Sequence, residues 1–325
     1  MKAIVTGGTG FTGSALCRRL VQDGWEVTAF VRPSPRVRPL QELGIGCVEV
    51  DITRADSVRA AMKPVDCVFH VAALFRTEDA DRSMFQRVNV DAARHMADAA
   101  LEARVGRFVH CSTVGVQGQI DDPPADEDYR PKPNDHYQST KWDGEQQVRS
   151  VIGRGLPGTI VRPAGIYGPG DMRFLKLFKA IGRGVFVMIG DGRTLYHLTY
   201  IDDLIEGFLL AATRDEALGE VFTIAGPRYV TIQEMADTVA NILGKSPPRW
   251  RVPLWPVQVA AVACEALCKP LKINPPLYPR RVEFFAMDRA FTTAKAERML
   301  DYRPAVDLEE GLRRTAAWYR EQGLL

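Results

Sequence analysis

The sequence has no strong excess of either charge, because its 42 lysines and arginines almost balance 40 aspartates and glutamates over 325 residues. A net charge of +2 gives no reason to expect a nucleic acid partner, which usually selects a basic surface. The chain opens without the charged, apolar and small-residue series of a signal peptide. Only six cysteines are present, scattered at positions 17, 47, 67, 111, 264 and 268. They predict buried thiols in a reducing cytoplasm rather than a disulfide framework, so we expect a cytoplasmic protein.

The sequence also lacks an apolar run that could cross a membrane. The apolar stretch 252–271 is short, is interrupted by Glu265 and contains several prolines. We expect it to form a buried or cleft-lining helix. The alternative is a peripheral membrane contact through 252–271, which the basic residues on both flanks would favour. Cys264 and Cys268 share one face of this helix, and without further ligands nearby they predict core packing and no metal site.

A glycine-rich turn stands at the beginning of the chain. The apolar run Met1–Val5 enters Thr6-Gly-Gly-Thr-Gly-Phe-Thr-Gly13, and an amphipathic helical pattern follows. Three glycines at this spacing allow a tight turn, a close approach of backbone to a pyrophosphate, and packing of the helix on the strand. The first N–H groups of the new helix then point at the phosphates. The turn therefore predicts a dinucleotide site, formed by Gly7, Thr9, Gly10, Phe11, Thr12 and Gly13.

The first half of the chain alternates short β-rich runs with helical patterns. The expected strands are Lys2–Thr6, Glu26–Val31, Cys47–Val50, Asp66–His70, Arg107–Cys111 and Gly158–Arg162, and the longest expected helices are Met84–Arg104 and Tyr137–Arg154. Repeated β–α units predict an α/β fold with a Rossmann-type, doubly wound parallel sheet. We expect residues 1–165 to form the dinucleotide-binding domain. Residues 166–325 are predicted to form a smaller substrate-binding lobe, with some later segments returning to the first domain.

The second half contains fewer repeated units. The pattern predicts a turn over Gly165–Asp171, helices over Arg173–Arg183, Ile201–Ala212 and Glu309–Gln322, and a strand over Val221–Ala225. Thr231 and Glu234 form a capping box at the start of a further helix, which should reach Leu243.

Tyr137 and Lys141 lie four residues apart, which places a phenol and an ammonium on one helix face. Lowering a phenol pKa from about 10 to about 7 requires roughly 4 kcal/mol of stabilisation of the phenolate. One cation about 4 Å away supplies that much at an effective dielectric constant near 20. Thr113 follows the strand Arg107–Cys111, at the edge where ligands bind in open α/β sheets. These three residues predict a proton-transfer site with a hydroxyl that orients a carbonyl.

These motifs together resemble an extended short-chain dehydrogenase/reductase of the NAD-dependent epimerase/dehydratase superfamily over essentially the whole chain. The resemblance implies that Thr113, Tyr137 and Lys141 are catalytic, and that Lys141 also holds the nicotinamide ribose. Besides the glycine turn, the residues it implies for cofactor binding are Asp51 and Ile52 at the adenine, Val71, Ala72 and Ala73 beside the cofactor, the helix residue Asn89, and Pro163 and Ile166 beside the nicotinamide.

The second predicted strand ends in Val31 and is followed by Arg32. Members that prefer NAD place an acidic side chain there to hold the ribose hydroxyls. An arginine suits a 2′-phosphate instead, and Arg36 and Arg38 follow closely. The sequence therefore favours NADP(H) as the cofactor, with NAD(H) as the alternative.

Two departures from the nucleotide-sugar members indicate the substrate class. Those members usually carry an asparagine where this chain has Gly165, and often an arginine where it has Tyr196. Without both groups little remains to hold a diphosphate. The rest resembles the 3β-hydroxysteroid dehydrogenase and sterol-4-carboxylate 3-dehydrogenase branch, although Gln117 stands where a second tyrosine is usual. The related branch of reductases for long-chain keto acids and plant-type ketones fits nearly as well.

The resemblance leaves three functions open. We expect an oxidoreductase for an apolar, steroid- or terpenoid-like alcohol or ketone. The alternatives are a nucleotide-sugar epimerase or dehydratase with retained NAD and, less favoured, a non-catalytic redox sensor. A homodimer, usual in related folds, is a further expectation.

Overall fold

A computed structural model describes residues 1–75, 81–268 and 275–325. Its strands are β1 (Lys2–Thr6), β2 (Glu26–Val31), β3 (Gly46–Glu49), β4 (Cys67–His70), β5 (Arg107–Cys111), β6 (Gly158–Pro163), β7 (Gly165–Tyr167), β8 (Met188–Ile189), β9 (Leu195–Tyr196), β10 (Leu198–Tyr200), β11 (Val221–Ile224), β12 (Val230–Thr231) and β13 (Arg251–Val252).

The helices are α1 (Phe11–Gln22), α2 (Arg38–Glu42), α3 (Ala55–Ala61), α4 (Arg82–Phe85), α5 (Ala92–Glu102), α6 (His136–Ile152), α7 (Leu175–Gly182), α8 (Ile201–Thr213), α9 (Ile232–Ile242), α10 (Leu254–Cys268), α11 (Pro279–Glu283), α12 (Ala294–Leu300) and α13 (Leu308–Glu321). A π-helical segment, Gln86–Asp91, joins α4 to α5, and short 3₁₀ turns cover Pro35–Val37, Val114–Gln117 and Asp215–Ala217.

The central sheet is parallel and has the strand order β11-β6-β5-β4-β1-β2-β3. The order reverses between β1 and β4, which are neighbours in the sheet but are separated in the chain by two further strands. The carboxyl ends of all these strands therefore meet at one edge, where a crevice opens at the reversal point. This arrangement confirms the predicted doubly wound, Rossmann-type α/β fold.

Both faces of the sheet are buried except at the edge strand β3, because helices cover each side. Along β1, Ala3 and Val5 contribute to one hydrophobic cluster and Ile4 to the other, as the two-residue period of a strand requires. The first cluster includes α1 and α8, and the second includes α5 and α6. A sheet buried on both faces positions the ends of its strands rigidly, which suits a site built at that edge.

The segment predicted as a turn over Gly165–Asp171 begins instead with a strand. Gly165–Tyr167 forms β7 and pairs in parallel with Leu198–Tyr200. The glycines at 165, 168 and 170 look like a turn locally, but the pairing partner lies far along the chain and leaves no local signal. The later strand Val221–Ile224 pairs with β6 and joins the central sheet. The proposed division of the chain near residue 165 stays a prediction.

The sequence predicts a buried or cleft-lining helix within 252–271; burial is wrong for the described part, and the cleft-lining position stays a prediction. Helix α10 forms, but of its residues only Ala261 is buried. Cys264 and Cys268 on this helix are partly exposed, so their predicted core packing is also wrong, whereas Cys17, Cys67 and Cys111 are buried as expected. Residues 269–271 lie outside the described residues. Within the described ranges, no helix is both long and apolar enough to cross a bilayer.

Candidate active site

The glycine turn has the geometry that its spacing predicts. Gly7 has φ = 75°, and a Cβ there would lie 2.9 Å from the backbone nitrogen of Ala72. A Cβ on Gly13 would lie 2.1 Å from the carbonyl oxygen of Gly7. Gly10 begins α1 without a side-chain cap, so the first N–H groups of the helix face the crevice without a capping partner. Backbone donors and the positive end of the helix dipole thus converge where a pyrophosphate would fit.

The turn is held against the next strand by a buried hydroxyl. Thr6 Oγ1 accepts hydrogen bonds from the N–H groups of Val71 and Ala72, each at 3.1 Å, and lies 2.8 Å from His70 Nδ1. Since both acceptor positions of Thr6 are used, its proton is donated to His70 Nδ1. The segment Val71–Ala73 therefore leaves β4 directly beside the glycine turn.

Asn89 links the segment Val71–Leu74 to α6. Its side chain bonds in both directions with Leu74, accepting from the N–H at 2.7 Å and donating to the carbonyl oxygen at 3.2 Å. Its Nδ2 also lies 3.1 Å from Thr140 Oγ1. Gly144 allows α6 to approach the π-helical segment that contains Asn89, because a Cβ at 144 would lie 2.0 Å from the Asn89 carbonyl oxygen. Asn89 thus positions the segment Val71–Leu74 against α6, the helix that carries Tyr137 and Lys141.

Thr113 follows β5 at the carboxyl edge of the sheet, and α6, which carries Tyr137 and Lys141, approaches the end of β5. Thr113 Oγ1 accepts from the N–H of Gly115 at 3.1 Å, so its own proton is available for a substrate oxygen. A Cβ on Gly115 would lie 3.3 Å from Thr113 Oγ1 and 3.4 Å from Gln138 Cγ, which shows how closely α6 approaches. The Lys141 ammonium is buried and donates to the Cys111 carbonyl oxygen at 2.7 Å. The ring of Phe75 meets the ring of Tyr137 edge-on, with centroids 5.0 Å apart.

A buried ion pair fixes α6 to the sheet. Arg162 Nε and Nη2 donate to the two carboxylate oxygens of Glu145 at 3.0 and 2.7 Å, and Ser112 Oγ donates to Glu145 at 2.7 Å. Burial by itself raises the pKa of Glu145, but the bonds and charge of Arg162 and the bond from Ser112 outweigh it, so the pKa lies below its ordinary value. Glu145 lies one helical turn after Lys141. The ion pair of Glu145 with Arg162 therefore fixes the position of α6 on the sheet and its rotation about its own axis.

The electrostatic surroundings of Lys141 include two buried histidines from β4 and β5. His70 and His110 are stacked with ring centroids 5.4 Å apart. Burial, followed by the charge of Lys141, lowers the pKa of His70 to about 3 and that of His110 well below its ordinary value. Burial also lowers the pKa of Lys141, and Cys111 and Glu145 partly oppose this effect. Both histidines are therefore neutral at physiological pH and add no charge beside the ammonium.

Several cations lie where β2 and β3 end. Arg32 follows β2 directly and is exposed, and Asp51 follows β3 on the neighbouring strand. Hydrogen bonds from Thr53, and then the charges of Arg54 and Arg32, lower the pKa of the Asp51 carboxyl. Ile52, next in the chain, is half-buried. A cavity of about 240 Å³ beside the glycine turn is lined by Gly8, Thr9, Ser14, Arg18, Arg36, Pro39, Leu40 and Leu43.

Gly165 and Tyr196, the two departures noted in the sequence, are in contact. A Cβ on Gly165 would lie 2.7 Å from Cε1 of the Tyr196 ring, so the ring occupies the space that a larger side chain at 165 would need. Tyr196 packs in turn on Phe284, with ring centroids 5.1 Å apart, and Phe284 packs on Phe285 at the same distance. Gln117 is buried and donates to the Asp126 carbonyl oxygen, so its side chain holds the loop that contains Asp126.

Arg173 is a candidate that the sequence did not reveal. Its Nε bonds to the buried Asp171 carboxylate at 2.7 Å, and Nη2 donates to the carbonyl oxygen of Ile166. Its guanidinium lies 6.0 Å from the ring centroid of Phe11 and 5.8 Å from that of Phe75. The Arg173 guanidinium therefore lies close to the first residue of α1 and next to Ile166. Pro163, at the end of β6, is buried. No local signal marks Arg173, because only the fold brings residue 173 to residue 11.

Comparison with known proteins places the chain in a family. A sequence profile of the NAD dependent epimerase/dehydratase family matches residues 3–225. The chain belongs to this family and is an enzyme of the extended short-chain dehydrogenase/reductase type, as the motifs predicted. The cradle of backbone donors described above fits the dinucleotide that this family uses.

Two curated relatives act on hydroxy or keto compounds. The chain is 32% identical to a 3-beta-hydroxysteroid dehydrogenase of Mycolicibacterium neoaurum, over 98% of this chain and 92% of the relative. It is 29% identical to a 2-alkyl-3-oxoalkanoate reductase of Stenotrophomonas maltophilia, over 98% and 99% respectively. A solved structure of UDP-glucuronic acid 4-epimerase from Bacillus cereus, in complex with NAD, has a TM-score of 0.77 and 25% identity, over 99% of both chains. The fold thus serves both substrate classes.

Proposed function

We propose that this protein is an NAD(P)(H)-dependent alcohol dehydrogenase or ketone reductase that acts on an apolar, steroid- or terpenoid-like hydroxy or keto substrate. The contact between Gly165 and Tyr196 carries the proposal. It fills with an aromatic ring the place where nucleotide-sugar members are expected to hold polar and cationic groups. The ring continues into Phe284 and Phe285, which offer an apolar surface to a substrate.

The proposed chemistry divides between the cofactor and three side chains. When bound, the nicotinamide donates or accepts the hydride. The Thr113 hydroxyl, which accepts from Gly115, donates to the reacting oxygen and orients it. The Tyr137 phenol gives up or receives the proton on that oxygen. The Lys141 ammonium, held by the Cys111 carbonyl, favours the phenolate and binds the nicotinamide ribose.

For the cofactor we propose NADP(H) in preference to NAD(H). The exposed Arg32, and Arg36 and Arg18 beside the cavity next to the glycine turn, supply cations for a 2′-phosphate. We further propose that Arg173 contacts the cofactor phosphates from the opposite side of the crevice, since its guanidinium faces Phe11 at the start of α1. The homodimer and the cytoplasmic location stay predictions.

A nucleotide-sugar epimerase or dehydratase is the second candidate. The likeness to UDP-glucuronic acid 4-epimerase over nearly the whole of both chains supports it. In that reaction the same three side chains would act, and the cofactor would stay bound between the two half-reactions.

The absorbance of reduced nicotinamide separates these functions. Purified protein with NADPH or NADH is offered apolar ketones, the matching alcohols with oxidised cofactor, and nucleotide sugars. We expect net oxidation of NADPH with ketones, and a fall of about 10²–10⁴-fold in turnover for Tyr137→Phe with the cofactor Kd nearly unchanged. Tyr229→Phe, at a half-buried tyrosine packed on His197, is the matched control and should keep its activity. Interconversion of a nucleotide sugar without net change in cofactor would establish the second candidate instead.

A further inference from the structure

The exposed face of α10 is apolar, which is unusual for a surface helix. Trp255 is 70% exposed, Val259 62% and Val262 58%, and their spacing places them on one side of the helix. Gln258 is the polar residue among them, and Trp250, 73% exposed, precedes the helix. The outward side of a globular helix is normally polar, and contiguous exposed apolar surface marks a site of interaction.

The charge around α10 indicates what covers this face. The segment 245–283 contains seven lysines and arginines and two glutamates, although the whole chain has a net charge of only +2. A second copy bound through the same face would bring the basic residues of both copies close together. Their repulsion disfavours a symmetric dimer there. Among the described residues, the exposed Lys245, Arg249 and Arg251 lie just before α10. An apolar helix face with basic residues and tryptophans at its amino-terminal end fits the surface of a bilayer that contains anionic lipids.

The dimensions favour lying on a bilayer over spanning it. The 15 residues of α10 extend over roughly 22 Å, less than the ~30 Å of a hydrocarbon core. The start of the helix is anchored to the rest of the protein, because β13 pairs with β8 immediately before it. The apolar face is therefore presented by a fixed element.

The same region adjoins the aromatic cluster formed by Tyr196, Phe284 and Phe285. Helix α10 packs against α11, and α11 is followed directly by Phe284, whose ring packs on Tyr196. We propose that the α10 face, together with Trp250, binds the surface of an anionic bilayer and thereby gives an apolar substrate a route from the lipid to the aromatic cluster. The route rests on the proposed function, whereas the binding to the bilayer does not.

Vesicle flotation of the full-length protein, without cofactor or substrate, tests the binding. The vesicles are phosphatidylcholine alone, or phosphatidylcholine with about one third phosphatidylglycerol. We expect binding to the anionic vesicles that weakens with added salt, and at least about tenfold weaker binding for the triple variant Trp255→Gln, Val259→Gln, Val262→Gln, since three exposed apolar contacts are lost. The control Val48→Gln with Leu218→Gln changes exposed apolar residues elsewhere and should bind like the unchanged protein.

Three outcomes would overturn the proposal: no binding to either vesicle, equal binding by the triple variant, or a dimer in light scattering that the triple variant abolishes. Turnover of a short, water-soluble ketone is measured in parallel. Activity there without vesicle binding would remove the membrane proposal alone, and vesicle binding without activity on any ketone would remove the proposed function and the route alone.

Discussion

At the scale of single residues, Arg32 is expected to decide which cofactor binds. A charge-assisted hydrogen bond to a 2′-phosphate contributes about 1.5–3 kcal/mol, so Arg32→Gln should weaken NADPH binding by about 10–100-fold. NADH has no such phosphate, and its Kd should change little. Fluorescence titration of both cofactors measures the two effects. Arg54→Gln, at an exposed arginine that is also close to Asp51, is the control. An equal loss for both cofactors would show that Arg32 does not read the phosphate.

The residues that could be predicted are those with a local chemical signature. Gly7 and Gly13 are recognisable because their spacing reflects a turn within a few residues. Tyr137 and Lys141 share a helix face for the same reason. The contacts of Arg173 with Phe11, and of Gly165 with Tyr196, could not be predicted, because they join distant segments and depend on how the strands are ordered.

At the scale of the element, the position of α6 depends on the buried pair of Glu145 and Arg162. Arg162→Met would leave a buried carboxylate without its partner and should cost about 3–5 kcal/mol of unfolding free energy. Ser112→Ala removes one hydrogen bond to the same ionised carboxylate and should cost about 1.5–3 kcal/mol. Urea denaturation measures both values.

The control for α6 is Arg313→Met, which breaks an exposed pair with Glu309 on α13 and should cost less than about 1 kcal/mol. If Arg162→Met fails to fold, the smaller Ser112→Ala effect still tests the anchor. A cost for Ser112→Ala no greater than that for Arg313→Met would mean that the pair does not hold the helix.

Elements of the first half could be predicted because strands and helices alternate there with clear periods. β1, β2 and β5 begin and end where the apolar runs do. The prediction failed where an element's environment, rather than its own pattern, matters. A run such as α10 is helical from its sequence, but the same apolar composition fits a buried helix and a surface helix that binds lipid. Only its place outside the sheet distinguishes them.

At the scale of the whole molecule, the stability of the fold should depend on pH through the two histidines buried in the central sheet. The pKa of His70 is lowered from 6.5 to about 3 by burial and by the charge of Lys141, and that of His110 is lowered for the same reasons. Between those values the unfolded chain binds a proton that the folded chain does not. The unfolding free energy therefore rises with pH in this window, and falls as the solution is acidified below about 6.5.

Each buried histidine contributes a slope of up to about 1.4 kcal/mol per pH unit. Neither ring nitrogen of His110 has a hydrogen-bond partner among the described residues, so His110→Phe removes one titrating group at little cost in bonding. Denaturation between about pH 6.5 and 5, above the range where most carboxyls titrate, should show a shallower loss of stability for this variant. Phe108→Leu, which changes a buried ring on the same strand without removing a titrating group, should keep the original slope. A stability that does not change over this range in the unaltered protein would mean that the buried histidines accept protons in the folded state, and that the neutral pair beside Lys141 does not exist.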